Sequence, residues 1–323
     1  MRAALYRATG EAARVLSVEE IDTPDPGPGE VRVRVACSGV NPTDWKSRSG
    51  LTSAGPDGFQ VPHHDGTGVV DAVGDGVAGL TEGQRVWLYL AAFANRYGTA
   101  AEYCVVPAAR AVPLPDWASD ELGASLGVPA VTAAHCLGGD PRTLEGTTVL
   151  VAGGAGAVGH FAIELAKHAG AVVVATASSE PKAELARAAG ADLVVDYRDA
   201  AAVDEIRSIA PCVDRVVEVA LGANLELDLA LCAPGAVIAS YASEATDPLM
   251  PTRRLMAGNV TLMYVLLYGV AAPQLAAAVA WTSVALGVGA LSALPVHRYP
   301  LDEVASAQDA VERHAVGKVL VVP

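Results

Sequence analysis

Residues 149–167 read VLVAGGAGAVGHFAIELAK, and this stretch decides the fold. A β-branched apolar run leads directly into three glycines spaced Gly-x-x-Gly-x-x-Gly, and a helical pattern follows them. Such a junction provides a tight turn, a close approach of the backbone to a pyrophosphate, and N–H groups at a helix N-terminus. A glycine turn that only packs a helix on a sheet is the alternative. We predict a dinucleotide-binding turn that comprises Gly153, Gly156, Ala157, Val158 and Gly159.

Outward from this turn, apolar runs alternate with alanine-rich helical stretches from Thr147 onward. The runs AVVVATA, ADLVVDY, VDRVVEVA and GAVIASYA are typical of buried strands, and SEPKAELARAAG is typical of a helix between the first two. Strands separated by helices favour right-handed crossovers and a parallel sheet covered on both faces. We therefore predict an α/β fold with a doubly wound parallel sheet.

The pattern before about residue 120 is different. Short runs such as VRVRVACSGV and QRVWLYL alternate there with Gly, Pro and Asp turns, which favours a largely antiparallel β unit. The final stretch, residues 294–323, returns to a strand, a helix and a strand. We expect this stretch to close the fold back onto the N-terminal unit.

Composition excludes several classes of protein. The 323 residues are enough for about two domains. They carry 36 acidic against 22 basic side chains, a formal charge of −14, which argues against nucleic acid and anionic lipid as partners. Five scattered cysteines without a C-x-x-C pair argue against a disulfide framework and a thiolate zinc cluster. Because the N-terminus also lacks the apolar core of a signal peptide, we expect a cytoplasmic protein.

Residues 255–296 contain no Asp, Glu, Lys or Arg, and this length would suffice to span a membrane. However, Pro273 and several glycines interrupt the run, so we favour a buried strand over residues 260–268 followed by a helix from Pro273 to about Ala285. The strand carries no charge or proline that would prevent pairing at a sheet edge. We predict a homodimer joined through residues 260–268, and a strand interior to one subunit's sheet is the alternative.

The second strand of the parallel sheet indicates which dinucleotide binds. An NAD site commonly ends that strand with a carboxylate for the ribose hydroxyls, whereas this strand ends at Ala177 without one. Ser178 and Ser179 offer hydroxyls, Lys182 offers a charge for a 2′-phosphate, and Tyr197 could flank the adenine end. The same serines could simply cap the following helix. We predict NADPH as the cofactor.

The chain resembles the medium-chain dehydrogenase/reductase superfamily, in its zinc-independent quinone oxidoreductase (zeta-crystallin-like) branch. The matching pieces occur in the family's order over nearly the whole length: PGPGEVRVRV, GVNPTDWKSRSG, PHHDGTGVVDAVGDGV, LGVPAVTA, the glycine turn and the terminal GKVLVVP. The resemblance implies a β-rich GroES-like catalytic domain at residues 1–122 and 290–323. It also implies a Rossmann cofactor domain at residues 123–289.

The resemblance also bears on zinc, because a catalytic zinc site needs three protein ligands and an open fourth position. In zinc-dependent relatives a cysteine occupies the position of Asn41, and a His-Glu pair occupies the positions of His64 and Asp65. Their last zinc ligand lies near the position of Val128. Only the histidine is retained here, and AAFANRYGTAAEY replaces the lobe that carries four cysteines. We therefore expect no metal site.

The resemblance further implies a set of site residues. Asn41 matches an asparagine that lines the nicotinamide cleft, and Asp44, Lys46 and His64 are polar candidates near it. Lys46 could stabilise an enolate or phenolate, and His64 could donate a proton. However, a lysine in such a stretch is more often solvated, and the histidine could simply hydrogen-bond the loop. Relatives often carry a tyrosine at Lys46 or Thr52, and this chain does not.

Two further residues are assigned to the cofactor by resemblance. Thr132 matches a threonine beside the nicotinamide, and Lys318 matches basic residues that reach the cofactor's phosphates. Taken together, we predict an NADPH-dependent oxidoreductase that transfers a hydride to quinones or α,β-unsaturated carbonyls without zinc. A zinc-type alcohol dehydrogenase and a catalytically silent NADPH-binding protein are the alternatives.

Overall fold

The computed structural model describes residues 1–243 and 246–323. Its contacts separate two compact units. The first comprises Met1–Val128 and Ala293–Pro323, and the second comprises Pro129–Ser292.

The strands and helices are as follows, numbered along the chain. The strands are β1 (Arg2–Leu5), β2 (Ser17–Glu20), β3 (Glu30–Val40), β4 (Asp65–Val73), β5 (Arg85–Leu88), β6 (Tyr103–Pro107), β7 (Ala111–Pro113), β8 (Thr148–Val151), β9 (Val172–Ala177), β10 (Leu193–Asp196), β11 (Val213–Glu218), β12 (Cys232–Ser240), β13 (Thr261–Tyr264), β14 (Val296–Pro300) and β15 (Lys318–Val322). The α-helices are α1 (Ala12–Val15), α2 (Pro42–Ser49), α3 (Asp120–Gly123), α4 (Gly127–Cys136), α5 (Ala157–His168), α6 (Glu180–Ala188), α7 (Ala202–Ile209), α8 (Leu221–Leu231), α9 (Thr252–Gly258), α10 (Ala272–Gly287) and α11 (Val304–Glu312).

The second unit is built on a six-stranded sheet in the order β10-β9-β8-β11-β12-β13, in which every pair is parallel. The predicted doubly wound parallel sheet is therefore confirmed. Helices cover this sheet, and its apolar strand residues are buried beneath them: Val149, Val173 and Val216 are 0% exposed. Each such side chain contributes about 1.5–3 kcal/mol to folding through its removal from water.

Strand β13 lies at one edge of this sheet and pairs with β12. It is shorter than the predicted residues 260–268, because the chain turns through a 3₁₀ segment at Leu267–Gly269. Helix α10 then begins at Ala272 with Pro273 in its first turn, where the missing N–H costs nothing. In the part of the chain that the structure describes, no helix is long and apolar enough to cross a membrane.

The first unit contains a seven-stranded sheet in the order β14-β15-β3-β4-β5-β7, with β6 paired to β3. All of its pairs are antiparallel except β14 with β15. Strand β15 joins β3 through Val319 opposite Val40 and Val321 opposite Ser38. The C-terminal stretch thus pairs with the N-terminal unit, and it brings Lys318 next to the end of β3.

Helix α2 follows β3 after a single residue, Asn41. Asn41 is the N-cap, Pro42 occupies the first helical position, and the backbone N–H of Asn41 donates to the Asp44 carboxylate at 2.7 Å. This hydrogen bond satisfies the Asn41 N–H at the helix start. It fixes the Asp44 side chain at the junction of sheet and helix.

Candidate active site and cofactor site

The glycine turn of the second unit is shaped by backbone requirements. Gly153 adopts a φ of +67°, a left-handed conformation that favours glycine, and its N–H donates to the Thr176 hydroxyl at 3.1 Å. A Cβ at Gly159 would collide with the Gly153 carbonyl oxygen. Gly156 caps helix α5 and has no side chain to occupy the helix N-terminus. The turn therefore combines close backbone packing with an open helix start, as a pyrophosphate requires.

The residues expected at the cofactor's 2′-phosphate lie together after β9. The Lys182 ammonium donates to the Ser178 hydroxyl at 3.3 Å. Ser179 is the N-cap of helix α6, yet its side chain makes no capping hydrogen bond. The Ser179 hydroxyl therefore does not cap the helix, which was the alternative role for this serine. Two hydroxyls and one ammonium at this position fit a phosphate monoester.

A second cation beside Ser178 was missed by the sequence analysis. The Arg198 guanidinium donates to the Ser178 carbonyl oxygen at 2.6 Å and forms two hydrogen bonds with the carboxylate of Asp196. Asp196 is opposite Ala177 in the sheet register, and Arg198 lowers its pKa to about 2. The predicted Tyr197 is 41% exposed, with the Arg198 guanidinium 5.8 Å from its ring centre. The sequence Asp196-Tyr197-Arg198 at the end of β10 could have indicated this second cation.

In the first unit the structure brings Asn41, Asp44, Asp65 and Lys318 into one buried cluster. Their exposed fractions are 2%, 4%, 0% and 2%. Asn41 Nδ2 donates to Asp65 Oδ2 at 2.6 Å, and the Lys318 ammonium donates to Asn41 Oδ1 at 2.8 Å and to Asp65 Oδ2 at 3.3 Å. The Val128 N–H donates to Asp65 Oδ1 at 2.7 Å. Burial raises the pKa of Asp65, and these three donors, from Lys318, Asn41 and Val128, oppose that effect by stabilising the carboxylate.

Burial sets the protonation of the groups around this cluster. It raises the pKa of Asp44 to about 8, against the lowering effect of the Asn41 N–H. Burial also lowers the pKa values of His63 and His64 to about 3, so both imidazoles are neutral at pH 7. His63 is held between the Ser38 hydroxyl at 2.9 Å and the Gln308 amide at 3.2 Å. Asp44 is consequently the candidate that retains a proton at neutral pH.

The remaining candidates occupy different surroundings. Lys46 is half-buried on α2, with its ammonium 5.9 Å from the Trp45 ring centre. Thr132 is 5% exposed in helix α4 of the second unit. Lys318, which the resemblance assigned to the cofactor's phosphates, has its ammonium bonded inside the first unit to Asn41 and Asp65. Its burial was missed because its partners are 277 and 253 positions away in the sequence.

The two units define a class of protein. A doubly wound sheet with a glycine turn, together with an antiparallel unit closed by the C-terminal strand, is the architecture of a dinucleotide-dependent dehydrogenase or reductase. Comparison with known families agrees. The model described as "Alcohol dehydrogenase GroES-like domain" matches residues 27–116, and the model described as "Zinc-binding dehydrogenase" matches residues 157–283. The chain belongs to the medium-chain dehydrogenase/reductase superfamily, in its quinone oxidoreductase branch, and it is an oxidoreductase.

Individual relatives cover nearly the whole chain. The quinone oxidoreductase of Rattus norvegicus is 29% identical over 302 residues, which are 93% of this chain and 90% of that protein. The structure of a mycobacterial quinone oxidoreductase is 30% identical, with a TM-score of 0.85 and complete coverage of both chains. A mycobacterial structure complexed with NADPH is 29% identical, with a TM-score of 0.84 and complete coverage of both chains.

Zinc, which one family description names, does not fit the donors of this chain. Both oxygens of Asp65 already accept hydrogen bonds, and the Lys318 ammonium lies 3.3 Å from one of them. A zinc ion bound to Asp65 would be repelled by the Lys318 ammonium, and neither oxygen of Asp65 is free to coordinate it. Asn41 supplies an amide instead of a thiolate, and its oxygen accepts from Lys318. Within residues 1–243 and 246–323, no three His, Cys, Asp or Glu side chains form a group that could hold a metal ion.

Proposed function

We propose that this chain is an NADPH-dependent reductase that transfers a hydride to a quinone or an α,β-unsaturated carbonyl without zinc. The observation that carries the proposal is the cluster of Ser178, Lys182 and Arg198 at the end of β9, the strand next to the one that leads into the glycine turn. The carboxylate opposite Ala177 in the sheet, Asp196, is neutralised by Arg198 and is therefore a poor partner for a ribose hydroxyl. The NADPH complex of a similar mycobacterial protein supports the same choice.

Bound NADPH supplies the hydride, and the chain supplies the surroundings in which negative charge develops on the acceptor oxygen. A donor with a fixed direction is most effective there, because it need not reorient during the reaction. Asn41 provides such a donor: its carboxamide is 2% exposed and is held by Asp65 and Lys318. We assign to Asn41 the placement of the nicotinamide or of the acceptor oxygen.

Reduction also consumes one proton, which a side chain or water must deliver. His64 is a weak source because burial holds its pKa at about 3, so it carries no extra proton at pH 7. Asp44 has a pKa of about 8 and holds its proton at neutral pH. We therefore assign proton storage to Asp44 in preference to His64 and Lys46.

We also propose that the protein is a cytoplasmic homodimer joined at the edge strand β13. Tyr264 and Leu266 are each 68% exposed at this edge, and Val284 and Val288 on the following helix segment are 62% and 66% exposed. Apolar side chains at an unpaired sheet edge favour pairing with a second chain. Free cysteines, three of them buried, are typical of a reducing compartment.

The test is a steady-state screen of NADPH oxidation against quinones, enals and enones, with alcohols and NADP⁺ as a separate arm. We expect oxidation with at least one electron-poor acceptor and no effect of chelator dialysis. Stoichiometric zinc whose removal abolishes activity would instead identify a zinc-type alcohol dehydrogenase. Tight NADPH binding without oxidation across the panel would identify a catalytically silent protein.

A further inference from the structure

The Lys318, Asp65 and Asn41 side chains form a closed triangle of hydrogen bonds in the first unit. Lys318 Nζ donates to Asn41 Oδ1 at 2.8 Å and to Asp65 Oδ2 at 3.3 Å, and Asn41 Nδ2 donates to Asp65 Oδ2 at 2.6 Å. All three residues are at most 2% exposed, so water does not compete for these bonds. Lys318 is among the largest fully enclosed side chains of the protein.

The two charges determine which way the carboxamide faces. A carboxamide has an accepting oxygen and a donating nitrogen of similar size, so packing alone does not distinguish its two orientations. Lys318 can only donate and ionised Asp65 can only accept. A flipped Asn41 would place its NH₂ group against the ammonium and its oxygen against the carboxylate. Both contacts would be repulsive, so only the observed orientation is compatible with the triangle.

Rigid elements hold the two charged residues in place. Lys318 begins β15, and its backbone N–H donates to the Pro295 carbonyl oxygen at 2.8 Å. Asp65 begins β4, its Oδ1 accepts from the Val128 N–H, and its carbonyl oxygen accepts from the Thr99 hydroxyl at 2.5 Å. Burial lowers the pKa of Lys318, and the nearby Asp65 carboxylate opposes this effect. Burial likewise raises the pKa of Asp65, and the Lys318 ammonium opposes that effect, so each charge favours the ionised state of the other.

We propose that Lys318 is a positioning residue that, with Asp65, fixes the Asn41 carboxamide for hydride transfer. The inference rests on the role proposed above for Asn41. In this role the ammonium acts through Asn41, because its hydrogen bonds go to Asn41 and Asp65. Lys318 thereby fixes the direction of the second Nδ2–H of Asn41, the one that does not donate to Asp65. A donor aimed at a developing negative charge requires such a fixed direction.

The test uses the paired variant Lys318→Met/Asp65→Asn, because Lys318→Met alone would leave Asp65 buried without its counter-charge and could unfold the unit. The paired variant removes both charges and keeps similar side-chain sizes. We expect kcat to fall at least tenfold while the dissociation constant of NADPH changes less than threefold. The matched control Lys167→Met/Asp192→Asn removes an ion pair of 2.8 Å in the second unit, and its kcat should equal that of the parent.

A kinetic cycle separates positioning from general structural support. In an Asn41→Ala background the paired substitution should cause no further loss of kcat, because the group that the charges orient is already absent. Losses that multiply in the triple variant would overturn the proposal. So would a paired variant with the parent kcat.

A readout that does not depend on activity distinguishes this proposal from the proposed function. In protein with ¹⁵N-labelled asparagine, the Asn41 side-chain amide is identified by its loss in Asn41→Ala. We expect its hydrogens to exchange at least tenfold faster in the paired variant than in the parent. Unchanged exchange would overturn the fixed orientation even if the enzyme reduces quinones. A parent that oxidises no NADPH would refute the proposed function while this exchange measurement still tests the triangle.

Discussion

Substituting Gly159 by alanine should damage both the fold and the cofactor site. The added Cβ would collide with the Gly153 carbonyl oxygen and lie 3.0 Å from both the Gly153 carbonyl carbon and Gly154 Cα. Carbon atoms pack at about 3.5–4.0 Å, so the backbone must move by about 0.5–1 Å. These neighbours are main-chain atoms and cannot rotate away. Overpacking of this kind costs about 1–3 kcal/mol of unfolding free energy.

The same displacement moves the helix N-terminus that is proposed to hold the pyrophosphate. A loss of about 1.4 kcal/mol in binding is tenfold in the dissociation constant. We expect Gly159→Ala to bind NADPH at least tenfold more weakly, as measured by fluorescence titration, and to unfold at lower urea concentration.

Two glycines serve as controls for this substitution. Gly287 ends helix α10 with no atom within 4 Å of an added Cβ, so Gly287→Ala should be neutral or slightly stabilising. Gly156 has a φ of −75° and only one contact, at 3.3 Å, so Gly156→Ala should cost less unfolding free energy than Gly159→Ala. Its methyl group would lie at the helix start proposed to hold the pyrophosphate, so this variant is a control for stability and not for binding. Parent-like binding and stability in Gly159→Ala would refute the close-approach argument.

Four further predictions test other parts of the site. Asn41→Ala should lower kcat by up to about 10²–10³-fold while the NADPH dissociation constant stays near that of the parent, and a parent-like kcat on the best acceptor would contradict the role of Asn41. NADPH should bind at least tenfold better than NADH, and Lys182→Met should reduce that ratio, since a hydrogen bond to a charged group contributes about 1.5–3 kcal/mol; equal constants for the two cofactors in the parent would contradict it. Folded Asp44 keeps its proton up to about pH 8 whereas the unfolded chain releases it near pH 3.8, so stability should fall as pH rises between these values, and Asp44→Asn should flatten that fall in melting experiments; an unchanged slope would contradict the raised pKa. Light scattering should give twice the chain mass of 32.9 kDa, and Tyr264→Lys with Leu266→Lys should give a folded monomer; a parent monomer at micromolar concentration would contradict the dimer.

Local patterns were sufficient to predict the second unit. The glycine turn and its flanking strands all lie within residues 148–177, and hydrophobic periodicity indicates their burial directly. The short strand β13 was overestimated because an apolar run does not show where a chain leaves a sheet. The 3₁₀ segment at Leu267–Gly269 ends the strand without any polar residue.

The first unit shows what such patterns omit. Helix α2 has a polar sequence, PTDWKSRS, and little apolar periodicity, although Asn41, Pro42 and Asp44 form a recognisable helix start. Arg198 could have been identified from its place two residues after Asp196. Lys318 could not, because a lysine at the start of a strand normally lies in solvent, and only the folded chain shows its contact with Asp65.

The most direct test of hydride transfer from NADPH is a single-turnover experiment with NADPH that carries deuterium at both C4 positions, mixed with an α,β-unsaturated ketone. Hydride delivered to the β-carbon remains in a stable C–H bond, so mass spectrometry of the product reports its origin. The account predicts one deuterium at the β-carbon of the saturated ketone, formed as NADPH absorbance is lost. Product without deuterium, or no product from any acceptor that the screen includes, would contradict it.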